Sequence, residues 1–289
     1  MADPIFNDGP VTPPRLYALV RLIPRLSKPK RQDLLDLLQP PGLIENQKAA
    51  DLTYNAARVL NLVEEDADQE KSIRLTIPRN DIETPHTFRL LLQRKLCGIT
   101  DSSDINYLLG EYVAWYAVQD GRVFSFKSVD FENRFNEEVY PGYTVRPFNT
   151  TKLPHWRVWA SYLGWGWPMP LGNTNLLIPD CYDRLKPCIP ELLWAADGDL
   201  RFDEFARRLA ERCPELDGGS LFERCWEASR GSETRGNRLS LMLSTGLRGL
   251  HDEGRIELID RADATDNWQL FPAEGHPVNG VTHVRVRES

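Results

Sequence analysis

The sequence lacks the features of membrane-spanning, secreted and disulfide-stabilised proteins. Its apolar runs all fall short of the roughly 18–20 residues that a membrane-spanning helix needs. Residues 1–4 combine neither a basic start nor an apolar core, so we expect no secretory signal peptide. The five cysteines are an odd number without a CxxC pair, which argues against a disulfide framework and for a reducing compartment. We therefore predict a cytoplasmic protein that does not enter a membrane.

The common catalytic motifs are missing as well. The chain contains no GxxxxGK(S/T), GxGxxG, GxSxG or HExxH, so nothing marks a phosphate-binding loop, a serine nucleophile or a zinc-peptidase helix. The five histidines are scattered, and the cysteine spacings do not match a zinc knuckle. The acids and arginines of residues 203–208 fit a salt-bridged helix face better than an acid–base pair. We predict no catalytic residue, no metal and no cofactor; a nuclease with a dispersed site is the alternative.

What the sequence does contain is segregated charge. The 289 residues carry a formal net charge of −7, which argues against a protein whose whole surface covers nucleic acid. Residues 11–60 nevertheless hold eight Lys and Arg against four acids, and five acids follow within residues 64–70. A second basic stretch contains Arg230, Arg235, Arg238 and Arg248. A helix face exposed to solvent would explain these charges equally well. A local basic surface therefore remains compatible with the acidic total.

A weak pattern occurs three times along the chain. A helical run ends on Leu, a polar stretch follows, and the segment closes on apolar residues before Pro, in residues 55–78, 158–179 and 246–272. A helix that leads into a two-stranded hairpin is typical of the end of a winged helix-turn-helix. We predict an α+β fold, mostly α with small β-hairpins, built from two winged helix-turn-helix units and a degenerate third in the middle. The predicted domains are residues 1–80, a Trp-rich helical domain at 81–185, and residues 186–289.

Apolar periodicity gives the elements of these domains. In the N-terminal domain, helices over 13–23 and 28–38 precede a third helix over 47–60, buried through Ala49, Leu52, Ala56 and Leu60. Strands at 62–63 and 73–77 form its hairpin. In the C-terminal domain, a strand at 254–259, a turn at 262–267 and a return strand at 268–271 are predicted, with the tail near 281–286 as a further strand. Further helices are predicted at 87–96, 105–118, 131–139, before Leu163, and at 189–196, 201–212, 221–228 and 238–250.

The first domain supplies the candidate DNA-binding residues. In a helix-turn-helix the second helix enters the major groove, where Asn and Gln pair adenine and Lys and Arg pair guanine or phosphate. The candidates are the polar residues of the third helix and the cations at the start of the second: Lys28, Lys30, Arg31, Gln47, Lys48, Tyr54, Asn55 and Arg58. Against this interpretation, Asp51 would face phosphate unfavourably, and many winged helices bind only protein.

The middle domain supplies a second candidate set. Residues 139–179 contain no Asp or Glu, and basic residues alternate there with tryptophans. This pattern suits stacking on unpaired bases or on a partner protein. The candidate residues are Lys152, Trp156, Arg157, Trp159 and Trp165. The alternative is that the tryptophans belong to the core or to a protein interface.

Residues 9–16, 46–48 and 59–64 resemble the winged-helix proteins of prokaryotic defence islands. Length and layout are most similar to the DpdG-like family of systems that place 7-deazaguanine in DNA and restrict DNA lacking it. The resemblance implies a non-enzymatic subunit that works beside helicases, ATPases and nucleases, and it transfers no catalytic residue. The acidic tandem layout is also similar to the kleisin-interacting subunits of chromosome-organising complexes, in architecture only.

Together these observations predict a DNA-associated adaptor of an antiviral restriction system. It would turn one basic face to DNA and acidic surfaces to partner proteins. A scaffold that binds only protein is the first alternative, and a nuclease with a dispersed site is the second.

Overall fold

A computed structural model describes residues 5, 9–43, 46–66, 71–144, 147–171, 174–193, 198–231, 233–262 and 266–287. Asp68 and Glu70 of the acidic stretch, and part of the turn predicted at 262–267, lie outside these residues. The fold is α+β with small antiparallel sheets, so the predicted fold class is confirmed at that level. Every helix in the described part of the chain is too short or too polar to cross a membrane.

Helices and strands follow one another in short elements. The helices are α1 Pro13–Leu22, α2 Arg31–Leu38, α3 Lys48–Val59, α4 Pro85–Leu96, α5 Tyr107–Gln119, α6 Ser128–Val139, α7 Lys152–Leu163, α8 Tyr182–Leu185, α9 Ile189–Leu192, α10 Phe202–Arg212, α11 Ser220–Arg230 and α12 Leu241–Asp252. The strands are β1 Val63–Glu65, β2 Ile73–Leu75, β3 Gly166–Leu171, β4 Thr174–Pro179, β5 Leu200–Arg201, β6 Ile256–Ile259, β7 Trp268–Gln269, β8 Gly280–Val281 and β9 His283–Val286.

The chain forms two compact units. Unit 1 comprises residues 1–95 and 154–162, and unit 2 comprises residues 96–153 and 163–289. The division into three domains, with boundaries near 80 and 185, stays a prediction.

Unit 1 contains a three-helix cluster followed by a hairpin. Helix α3 packs against α1 and α2, and β1 pairs with β2 in antiparallel register, Val63 opposite Leu75. The backbone N–H of Ile73 donates to the carbonyl of Pro29 at 2.7 Å. Pro29, two residues before α2, is therefore hydrogen-bonded to the β2 side of the hairpin.

Helix α3 is rotated from its predicted orientation. Ala49 and Leu52 were expected in the core, but both are half-exposed, and the buried residues are Ala50, Thr53, Tyr54, Ala56 and Ala57. The large ring of Tyr54 is fully buried because it removes more apolar surface from water than an alanine can. The DNA contact predicted for Tyr54 is therefore not supported by its position, because a fully buried ring presents no surface to DNA.

Unit 2 is built around α5, whose residues 109–119 are all buried. Its largest sheet has the strand order β5-β9-β6, and β9 is antiparallel to both neighbours. A strand does form at Trp268–Gln269, and the strand predicted in the tail is β9, but the predicted return alongside β6 is wrong. The strand β7 pairs with β8, and the partner of β6 is the tail strand β9. Val284 of β9 lies opposite Leu258 and is fully buried. Burial of this tail residue selects the pairing, which sequence spacing alone does not reveal.

The end of α7 depends on one glycine. Gly164 has φ +93, in the region that L side chains rarely adopt. A Cβ at this position would lie 2.6 Å from the backbone nitrogen of Arg184. The chain can therefore turn out of α7 and approach α8 closely only with glycine here.

Candidate nucleic-acid interface

The predicted DNA-binding residues are not equally accessible. Gln47 is half-buried and Tyr54 is fully buried. The remaining six side chains are exposed: Lys28, Lys30, Arg31, Lys48, Asn55 and Arg58. These six define what we call the α2–α3 surface.

An ion pair connects the first turns of the two helices on this surface. Arg31 and Asp51 form a close salt bridge, with side chains 46% and 38% exposed. Asp51 was the residue that argued against phosphate contact, and its charge is compensated by Arg31. The start of α2 is capped by Asp33, which accepts the backbone N–H of Lys30 at 2.8 Å. The cations at the start of α2 thus lie beside α3.

Gln47 is engaged inside unit 1. Its Nε2 donates to Asp36 at 2.7 Å and to the carbonyl of Gln39 at 3.1 Å, and its Oε1 accepts from Gln32 at 2.9 Å. The bond from Gln47, together with a bond from the amide of Gln32 at 2.7 Å, also holds the pKa of Asp36 below its usual value. Gln47 therefore fixes the start of α3, and reading adenine would require it to give up these bonds.

The outward face of α3 carries the groups that could meet a ligand. Lys48, Asn55 and Arg58 recur at intervals that place them on one side of a helix with 3.6 residues per turn. Leu52 and Val59 lie beside them on the same helix, half-exposed and 39% exposed respectively. The face can offer an amide to adenine and two cations to guanine or phosphate.

The hairpin beside α3 has the opposite charge. Glu64, Glu65 and Asp66 occupy β1 and the residue after it, and Arg74 of β2 pairs with Glu64 at 2.7 Å. The hydroxyl of Tyr54 lies 3.4 Å from Glu65, and burial together with this carboxylate raises the pKa of Tyr54. The acidic edge limits how far a polyanion could extend from the α2–α3 surface.

The tryptophans of the second candidate set lie in the core. Trp156, Trp159 and Trp165 are fully buried. In unit 1 the indole of Trp159 donates to the carbonyl of Val11 at 3.2 Å, and in unit 2 the indole of Trp165 donates to Glu215 at 3.1 Å. A fully buried ring has no face left for a base, so the structure favours the core interpretation over base stacking.

The basic members of that set are half-exposed. Lys152 belongs to unit 2, where its Nζ donates to the carbonyl of Pro147 at 2.5 Å. Arg157 belongs to unit 1. With its three tryptophans buried, this candidate set offers no exposed indole for stacking.

Sequence reasoning missed a cavity in unit 2. Its lining includes Phe222 and Trp226 of α11 and three arginines of the second basic stretch, Arg230, Arg235 and Arg238. The sequence signal for this cavity was the spacing of Phe222 and Trp226, which lie four residues apart on one helix face, with Arg230 four residues further on. This signal was weak, because a solvated face also explains the basic stretch that begins at Arg230. No group of three potential metal ligands is assembled in the described part of the chain.

Comparison with known proteins gives one match. A family model described as DpdG-like matches residues 4–264, which is most of the chain. No curated protein and no solved structure matches it.

Proposed function

The chain belongs to the DpdG-like family, and from this premise we propose that it is a DNA-associated adaptor subunit of a prokaryotic restriction system. It contacts DNA through the α2–α3 surface and binds partner proteins, such as a helicase, ATPase or nuclease, through acidic surfaces. It works in the cytoplasm and catalyses no reaction itself. The family membership supports the defence context.

The order of elements supports winged helix-turn-helix units. In unit 1, Pro29, α2, α3, β1 and β2 follow one another, and Pro29 bonds to the β2 side of the hairpin. In unit 2, β5 precedes helices α10 to α12, and β6 and β9 follow them in the sheet order β5-β9-β6. In both units an extended segment precedes the helices, and paired strands follow them. In a winged helix-turn-helix this arrangement presents a helix to the major groove.

The observation that carries the DNA proposal is the exposed, charge-compensated face of α3. Because Arg31 neutralises Asp51, the exposed cations Lys48 and Arg58 are not opposed by an uncompensated acid on their own helix face. Phosphate contacts supply most of non-specific DNA affinity, so such a face can bind duplex DNA despite a negative total charge.

Reversing the exposed cations tests the proposal. We expect the variant Lys28→Glu, Lys30→Glu, Lys48→Glu, Arg58→Glu to bind duplex DNA at least about tenfold more weakly. The logarithmic salt dependence of its affinity should fall by about 0.9 for each phosphate that the variant no longer neutralises. Fluorescence anisotropy with a labelled duplex at several salt concentrations measures both quantities.

The matched control makes the same charge change elsewhere. Arg79→Glu, Lys127→Glu, Arg207→Glu, Arg255→Glu also replaces four exposed cations, so it should retain most of the affinity and of the salt dependence. Equal losses in the two variants would show that only total charge matters. A wild-type affinity that does not fall with added salt would refute phosphate contact.

A scaffold that binds only protein is the second candidate. It is favoured by the acidic edge of β1 and by exposed apolar residues of unit 1, namely Leu37 at 52%, Leu43 at 80% and Val59 at 39% exposure. If this candidate is correct, the charge-reversed variant protects its host as well as the wild type does. No observation on the described residues favours the nuclease alternative.

A further inference from the structure

Unit 2 contains a cavity of about 490 Å³, which lies in the size range of small-molecule sites. Its walls are α11, the segment 233–240, the segment 269–272 and Asp120, whose carboxylate lies 3.8 Å from the guanidinium of Arg230. Gln269 joins the two segments, because its N–H donates to Asn237 at 2.7 Å and its carbonyl accepts from Leu239 at 2.9 Å. The walls are therefore held by backbone hydrogen bonds before any ligand enters.

Aromatic rings form part of the lining. Phe222 and Trp226 stack on α11 with ring centroids 6.2 Å apart and planes 18° from parallel. Trp226 is half-buried, and Phe271 is contributed, also half-buried, by the segment 269–272. The guanidiniums of Arg230 and Arg235 lie 5.5 Å and 5.8 Å from the centroid of the Trp226 ring. Because Trp226 and Phe271 are only half-buried, part of each ring remains accessible to a planar ligand.

Two of the lining arginines serve the wall itself. The guanidinium of Arg235 lies 4.6 Å from the centroid of Phe222 and pairs with Asp217 at 2.5 Å and Glu223 at 3.0 Å. Arg230 pairs with Glu233 at 3.2 Å and lies over the ring of Trp226. Their charges are compensated, so they position the rings more than they attract a ligand.

Arg238 differs from these two. It lines the cavity and is exposed, and among the described residues its guanidinium has no carboxylate partner. Its backbone carbonyl accepts a hydrogen bond from Arg235 at 3.0 Å, which fixes the residue at the rim. An uncompensated guanidinium is well suited to bind phosphate.

We propose that this cavity binds a nucleotide, with the base against Trp226 and Phe271 and the phosphate on Arg238. The ligand is a free mononucleotide or one nucleotide of a single strand, since both present the same base and phosphate. The cavity shares no residue with the α2–α3 surface, so nucleotide binding here does not depend on the proposed duplex contact.

Calorimetry on the full chain tests the phosphate contact. The probes are the four deoxynucleoside 5′-monophosphates, the matching nucleosides and inorganic phosphate. Arg238→Gln should weaken monophosphate binding by about tenfold and leave nucleoside binding unchanged, because it removes one charge-assisted hydrogen bond to the phosphate. Arg255→Gln is the matched control, since it removes an exposed guanidinium of unit 2 that does not line the cavity.

A second variant tests the stacking contact. Phe271→Leu should weaken the binding of nucleosides and of monophosphates alike. Its thermal melting is compared with that of the wild type, and Trp226→Phe replaces it if the leucine variant does not fold. A single-stranded thymidine oligonucleotide is then added as a competitor of the bound monophosphate. If it displaces the monophosphate, the site binds a nucleotide of a single strand; if it does not, the site binds a free nucleotide.

Three results would overturn the inference. The first is no saturable binding of any monophosphate by the wild type at millimolar concentration. The second is inorganic phosphate that binds as tightly as the monophosphates do. The third is an equal loss of affinity in Arg238→Gln and Arg255→Gln, which would reduce the effect to general charge.

Discussion

Replacing Glu215 by Gln is expected to lower the free energy of unfolding by about 3–5 kcal/mol. Glu215 accepts from the Nε of Arg184 at 2.8 Å, and the two side chains are 1% and 2% exposed. The variant would leave the guanidinium buried without its counter-charge. Breaking a buried ion pair by removing one partner is far more costly than breaking an exposed one.

The other contacts of Arg184 cannot replace the carboxylate. Its guanidinium also reaches the Sγ of Cys188 and the carbonyl of Arg212, both at 3.2 Å. The carbonyl carries no full charge. Hydrogen bonding with Cys213 and the nearby Arg184 and Arg212 lower the pKa of Cys188 to about 6, against the opposing effect of burial, but this thiolate is already present in the wild type and does not make up for the lost carboxylate. Water cannot screen the remaining charge at a site this deeply buried.

Urea denaturation of three variants checks this expectation. Glu215→Gln should shift the midpoint strongly, whereas Arg207→Gln, which breaks an exposed pair with Glu204, should shift it little. The double variant Arg184→Met, Glu215→Leu should recover part of the stability, because neither charge is then buried, while the buried indole N–H of Trp165 loses its acceptor. Similar midpoints for Glu215→Gln and Arg207→Gln would contradict the assigned cost.

The stability of the wild type relative to Asp120→Asn is expected to fall by about 2–3 kcal/mol as the pH rises from about 4 to about 7. Asp120 follows α5 and accepts the backbone N–H of Leu241 at 2.8 Å, at the start of α12. Burial, assisted by the nearby Asp217, raises the pKa of Asp120 to about 6 from an ordinary value of 3.8, against the opposing effects of Leu241, Arg230 and Arg235.

The sign follows from the raised pKa. Below the ordinary value the carboxyl is protonated in the folded and the unfolded chain, so it carries no penalty. Between the two pKa values the folded chain binds the proton more tightly, and the free energy of unfolding therefore falls as the pH rises. Above a pH of about 6 the carboxylate is ionised in both states, and the full cost of burying it remains.

Asparagine preserves the geometry and removes the titration. Its Oδ1 can still accept from Leu241, and asparagine tolerates the positive φ of 52° found at this position better than most residues do. The measurement is the free energy of unfolding of both proteins at several pH values. A difference between them that stays constant with pH would contradict the raised pKa.

Much of the local structure could be predicted from the sequence. The apolar spacing predicted helices at the positions of α1, α2 and α3 and a hairpin after them. The alternation at 73–77 placed a strand where β2 lies. Such patterns are local, because one face of an element must be apolar wherever a core covers it.

The candidate site could be predicted less well. The exposed cations of the α2–α3 surface were identified by type and position, but the pairing of Arg31 with Asp51 was not. The cavity of unit 2 combines α11 with segments 233–240 and 269–272, so no single stretch of sequence displays it. Contacts between distant segments depend on how the elements pack.

The sequence by itself determined where most of the helices form and where positive charge collects, because both follow from neighbouring side chains. Only the tertiary structure decided that Tyr54 turns into the core. It also decided that β9 rather than residues 268–271 pairs with β6, and that the tryptophans are core residues. The physical reason is that several faces and partners satisfy the same local pattern, and the chain adopts the one that buries the most apolar surface across all its elements together.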